Sequence, residues 1–159
     1  MNKHDGLKLT GDVNISVNNI KTGKSTNYNY KNLIVTVGKN WVASRMQGVV
    51  DSVMTHMEIG TGTTAAAIGD TTIETATTPA AARVALTQSG GVASTNTLTF
   101  NCTFPADTPD VTAPATASIT EAGVFNASSG GTMAARTVFP VINKGESDTM
   151  TVSWVVTIS

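Results

Sequence analysis

Two histidines, one cysteine and eleven acidic residues are the chain's raw material for chemistry. In Met54-Thr55-His56-Met57-Glu58 the imidazole and the carboxylate stand two apart, so an extended segment puts both on one face, where they could share a metal ion or act as base and acid. A metal site needs a third ligand, and the sequence nominates none; a polar pair on a solvent-facing or subunit-facing strand accounts for the same residues. Cys102 alternates with Leu98, Phe100 and Phe104 and is expected to point inward, away from any nucleophilic role. A lone cysteine also excludes an intramolecular disulfide framework and a cysteine-based zinc site.

Other constellations read as architecture. Ile59-Gly60-Thr61-Gly62-Thr63-Thr64 has the outline of a phosphate-cradling loop, yet it lacks the Gly-Lys-Thr ending and no well-formed helix follows it. A glycine-rich exit from a strand is the expectation. Asp107, Asp110 and Glu121 surround a proline-rich stretch without the alternating oxygen ligands of a calcium loop. Arg83 and Arg136 each follow a pair of alanines and precede apolar strand residues, which makes them fixed hydrogen-bonding partners for Glu121, Glu58 or Glu74. Arg83, Glu121 and Arg136 are therefore candidate structural polar residues. No catalytic residue, cofactor or metal is assigned, and the chain is expected not to be an enzyme.

The elements that must position these residues are mostly extended. Met150, Val152, Trp154, Val156 and Ile158 alternate with threonine and serine along Thr149–Ser159, with Val155 the sole apolar exception, and Leu98–Phe104 and Val13–Val17 repeat the pattern. Lys21-Thr22-Gly23-Lys24 supplies a hairpin turn, with Ser25–Val37 as the return strand. Further strands are expected at Val53–Ile59, Ala82–Gln88, Ile119–Asn126 and Thr132–Val138, separated by turns that include Asn143-Lys144-Gly145. One short helix is predicted over Lys39–Gln47, between Gly38 and Gly48, and one more turn over Thr71–Thr75 with Asp70 as its cap. This pattern predicts an all-β fold, an antiparallel β-sandwich of Greek-key or jelly-roll type with one short helix, forming one domain over 1–159 with Met1–Leu9 as a candidate N-terminal arm.

Thr61–Ala81 and Pro105–Ala117 read as loops, and loops of such length are usually functional or ordered by a partner. Thr61, Thr63, Thr64, Asp107 and Asp110 on them are candidate interface residues. So are Tyr28 and Tyr30, which share one strand face among polar neighbours and would equally suit packing over the hairpin.

Only 13% of the 159 residues are charged, against about 25% in ordinary globular proteins, and the net charge is -1. Threonine, the commonest residue, fills the gap. No basic patch is present, so nucleic acid is not an expected partner. The opening Met-Asn-Lys-His-Asp-Gly precedes no apolar run, so neither a secretory signal nor membrane insertion is expected. A surface with little charge protection against association suits one covered by other protein.

Several segments together resemble small structural proteins of tailed bacteriophages. Lys31-Asn32-Leu33-Ile34-Val35, Gly38-Lys39, Arg45 and Met57-Glu58-Ile59-Gly60-Thr61-Gly62 come first. Ile119-Thr120-Glu121-Ala122-Gly123-Val124-Phe125-Asn126, Gly130-Gly131-Thr132-Met133 and Arg136-Thr137-Val138-Phe139 then lead to the closing Thr-Met-Thr-Val-Ser-Trp strand. The resemblance implies a virion protein, made in the host bacterial cytoplasm, with no catalytic residues to carry over. Capsid decoration (cement) proteins of this kind cluster on local threefold axes, so the implied state is a homotrimer or another homo-oligomer bound to the major capsid protein. A tail, baseplate or fibre-associated protein, bound to a tail protein, is the alternative. The chain lacks the repeats, heptads and long shaft of a fibre, which favours the head. A carbohydrate-binding β-sandwich is a further reading, and it would require exposed aromatics beyond Tyr28 and Tyr30.

Overall fold

Period-two alternation resolves into two five-stranded antiparallel sheets. The computed structural model describes residues 6–49, 52–77, 83–107 and 116–159. The first sheet has the order β2 (Ser25–Lys31), β1 (Leu9–Asn19), β10 (Asp148–Ile158), β7 (Thr97–Phe104), β6 (Val92–Ser94). The second has the order β3 (Leu33–Ile34), β9 (Met133–Gly145), β8 (Thr116–Phe125), β4 (His56–Gly60), β5 (Val84–Ala85). Val13, Ile15, Phe100, Cys102, Phe104, Met150, Val152 and Trp154 from the first sheet meet Met57, Ile59, Ala122, Val124, Phe139 and Ile142 from the second in one buried core. The fold is an all-β sandwich that holds, among the described residues, one helix, α1 (Thr36–Met46).

Where the elements depart from expectation, single residues supply the reason. The return strand stops at Lys31 because Asn32 carries the chain from one sheet to the other, so Leu33–Ile34 pair with β9 and Thr36–Val37 already belong to the helix. Gly38 is a contact rather than a boundary: a Cβ there would overlap the Ala134 carbonyl, and its absence lets the first turn of α1 lie on β9. β9 runs on to Gly145, past the expected end at Val138 and through the expected turn at Asn143–Gly145. It accommodates Pro140 in a bulge, where Phe139–Val141 stand opposite the single residue Thr120, and bulges are positions at which a missing N–H is tolerated. Only Val84–Ala85 of the expected strand Ala82–Gln88 is strand, and residues 78–82 lie outside the described residues. Thr71–Thr75 forms no helical turn. Asp70 instead accepts the Ala67 N–H at 2.9 Å. Of the expected arm, Leu9 opens β1 and Lys8 exchanges backbone hydrogen bonds with Ser159, while residues 1–5 lie outside the described residues.

The two sheets differ on their outer faces. That of the first sheet is solvated and carries hydroxyl and amide side chains in cross-strand rows such as Asn29, Asn14, Ser153, Asn101 and Asn27, Ser16, Thr151, Thr103. The second sheet is covered. From Ile119 to Phe125 every residue of β8 is buried, because residues 61–77 fold back over the face bearing Glu121, Gly123 and Phe125. Ile73 sits against Gly123, where a Cβ would come within 2.9 Å of its methyl group. Ile73, Phe125, Met133 and Val35 make a second small apolar cluster there.

Candidate functional site

Among the described residues, the densest concentration of charged chemistry lies under that covering segment. Alternation along β8 sends Ala122 and Val124 into the sandwich and Glu121 to the opposite face, where its carboxylate is fully buried. A carboxylate without partners in such a place would be prohibitively costly. Glu121 Oε1 accepts the N–H groups of Gly62 (2.9 Å) and Thr75 (2.7 Å), and Oε2 accepts the Glu74 N–H (2.9 Å) and Arg136 Nε (3.0 Å). Arg136 Nη2 lies 2.9 Å from the same Oε2. Both oxygens are thus engaged by groups of the chain itself.

Arg136, 3% exposed, is equally occupied. Nη1 donates to Asp70 Oδ2 at 2.7 Å, Nη2 donates to the Thr64 carbonyl at 3.1 Å, and Glu74 Oε2 stands 3.7 Å away. Burial alone would raise the Asp70 pKa, but the Ala67 N–H and the Arg136 guanidinium outweigh it and hold the carboxyl below its usual value. Glu74 is also held below its usual value, by the Thr64 hydroxyl and N–H, with Arg136 adding to the effect. The resulting knot ties three separate stretches of residues 61–77 to β8 and β9.

The glycine-rich exit from β4 takes its sequence from this knot. A Cβ on Gly60 would run into the Thr75 carbonyl and Glu121 Oε1, and one on Gly62 into Glu121 and Glu74. Backbone N–H groups gathered around an anion are the physical principle of a phosphate loop. Here the anion is the protein's own Glu121.

Arg83 builds a second junction beside the first. Its Nε donates to Glu58 Oε2 at 2.9 Å, and Nη1 donates to the carbonyls of Ala127 (3.1 Å) and Gly130 (2.6 Å). Its guanidinium carbon lies 3.5 Å from the centre of the Phe125 ring, a cation–π geometry. Glu58 is therefore bound to arginine, while His56 Nδ1 lies 2.7 Å from Thr55 Oγ1. Among the described residues no group of three or more His, Cys, Asp or Glu side chains could hold a metal ion. Burial pushes the Cys102 thiol up to about 12, so it stays protonated at neutral pH.

The candidate interface residues are dispersed. Tyr28 and Tyr30 are half-buried at the β2 edge, where they stack on each other at 6.4 Å, and Tyr30 stacks on Phe139 at 5.1 Å. Thr61, Thr63 and Thr64 are exposed, although the Thr64 hydroxyl and N–H are bound to Glu74. Asp107 is exposed, with φ at 62° and its N–H on the Glu146 carbonyl, and Asp110 lies outside the described residues.

Two charged side chains of the scaffold differ from their sequence reading. Asp70 looked like a helix cap and is instead a partner of Arg136. Lys144 looked like a turn residue, yet it is 2% exposed and donates from Nζ to the Pro105 carbonyl at 2.8 Å; burial pushes its pKa down, against the pull of Asp148 and Asp107. The signal for Lys144 was its spacing of two from Ile142, which places both on the inward face of β9. No protein family, no curated protein and no solved structure matches this chain.

Proposed function

We propose that this chain is a non-enzymatic structural protein of a tailed-phage virion, and that its place is the head, where it binds the assembled shell and stabilises it. The observation that carries the reading is the outer face of the first sheet. Its rows of Asn, Ser and Thr contain little charge, and its charged pair, Lys31 with Asp12, sits at one end of β2. Such a face can be covered by another protein without desolvating ions, which is the costly part of burying a polar surface. The engagement of Glu121, Arg136, Glu58 and Arg83 within the scaffold agrees with a module whose charged groups hold shape rather than turn over a substrate. The phage assignment itself stands on the sequence resemblance.

The test is reconstitution. Purified protein is added to particles that lack it, and binding and heat resistance are measured. Saturable binding to heads with recovered heat resistance is the expected result. Binding confined to tails would transfer the role to a tail or baseplate protein, and binding to neither would overturn the reading.

A further inference from the structure

The sheets end in edges of unequal character. β3 and β5 have two residues each, and β6 has three. β9 extends well past β3, but its open stretch carries Pro140 in a bulge. Short strands, prolines and bulges are the usual devices that keep an edge from pairing with another chain. β2 has none of them. It is seven residues long, contains neither Gly nor Pro, and keeps unbroken register with β1 from Asp12↔Lys31 to Asn18↔Ser25.

Hydrogen bonds at the two ends of this pair fix which β2 groups face outward. Asn19 N–H donates to the Lys24 carbonyl at 2.8 Å and Asn32 N–H to the Gly11 carbonyl at 3.2 Å. Because inward and outward residues alternate in an antiparallel pair, Thr26, Tyr28 and Tyr30 bond to β1 while Ser25, Asn27, Asn29 and Lys31 present their backbone groups to the outside. Of these, the Lys31 carbonyl accepts the Thr137 hydroxyl at 2.8 Å.

This edge is complementary to itself. A twofold axis beside Tyr28 sets Asn27 opposite Asn29 of a second copy, Ser25 opposite its Lys31, and Tyr28 opposite its Tyr28. Asn27 and Asn29 then exchange all their outward bonds with the second copy and each Lys31 N–H reaches a Ser25 carbonyl, about six N–H···O bonds in all. No like charges face each other: Lys31, the strand's charged residue, is already paired with Asp12 and meets a serine. A head-to-tail pairing of β2 with β6 would engage only the three residues of that strand. We infer that β2 is the interface between two copies of this chain, which join antiparallel through β2 about a twofold axis into one continuous ten-stranded sheet. The inference does not rest on the virion reading, and a twofold pair differs from the threefold cluster that the phage resemblance implies.

The test is the oligomeric state of the purified chain by analytical ultracentrifugation. Asn27→Pro removes an outward N–H and leaves the bonds to β1 in place, so it is expected to keep the wild-type circular dichroism and to weaken the dimer by about tenfold or more. Asn27→Lys combined with Asn29→Lys, at two exposed positions, should do the same by opposing like charges. Register is read by oxidising chains that carry one added cysteine beside the buried Cys102. Asn27→Cys mixed with Asn29→Cys should cross-link, because hydrogen-bonded partners lie about 5.5 Å apart. Asn27→Cys alone should not, because its copies lie beyond about 7 Å. A wild-type chain that is monomeric up to about 0.1 mM, a trimer, or a dimer indifferent to both edge variants would overturn the proposal.

Discussion

The first sheet, from β2 to β6, and the second, from β3 to β5, start from the same alternation and dispose of their outward side chains in opposite ways. On the first sheet those side chains remain in water, where the Thr103 and Thr151 hydroxyls meet at 3.0 Å and gain little from it. On the second sheet the outward set includes Glu58, Glu121 and Arg136, and residues 61–77 and Arg83 are drawn over them. On the second sheet charge is placed where chain must be fastened, whereas the open face of the first sheet is mostly neutral and polar and keeps Lys31 and Asp12 at one end of β2. A buried ion pair is weak evidence for net stability, but it specifies geometry. Glu121 does so by accepting N–H groups from Gly62, Glu74 and Thr75 at once.

If that division holds, substitutions of equal chemical size should have unequal effects on the two sheets. Arg136→Met leaves Glu121 as a buried charge without its countercharge, and a loss of about 3–5 kcal/mol is expected in denaturant unfolding. Adding Glu121→Leu to that variant should restore only part of the loss, because three loop N–H groups then have no acceptor. Full recovery would mean that the pair matters and the loop attachment does not. Gly62→Ala, which pushes a methyl group into Glu121 and Glu74, is expected to cost about 1–3 kcal/mol.

Acid should act on the same side of the molecule. The folded pKa values of Asp70 and Glu74 are depressed, so their contribution is present above the ordinary carboxylate range and is lost as the pH falls through the folded values. Melting temperature followed from about pH 6 to pH 2 should fall across that window, and more shallowly in Asp70→Asn. A profile unchanged by that substitution would detach Asp70 from the knot. On the first sheet, Thr151→Val should shift stability by no more than about 0.5 kcal/mol, and a larger loss would show that its outer face is not simply solvated.

How much of this was legible follows the same division. The first sheet was readable because a face in water and a face in the core write a period of two, as in β7 and, Val155 aside, β10. β8 is buried on both sides, so Thr120 and Glu121 break the apolar run without marking an exposed face. Of the three glutamates that the sequence offered Arg83 and Arg136 as hydrogen-bonding partners, Glu58 bonds Arg83 and Glu121 bonds Arg136, while Glu74 stands 3.7 Å from Arg136 as an ion pair. Asp70 escaped because a short acidic residue before a polar run looks the same whether it caps a helix or bonds a distant arginine. The extent of β9 escaped because proline ordinarily argues against a strand, and only the bulge opposite Thr120 makes room for it. Gly60 and Gly62 were visible as a motif, but what they approach lies on β8, far along the chain.

Hydrogen exchange at the amides of Gly62, Glu74 and Thr75 tests most directly whether the charged residues fasten the covering segment to the second sheet. In the wild-type chain these loop amides should be protected to a degree comparable with the β8 and β9 amides, and Glu121→Leu, which removes both acceptor oxygens, should release them while leaving β1 and β10 unchanged. Loop amides that exchange freely in the wild-type chain, or that keep their protection in Glu121→Leu, would contradict it.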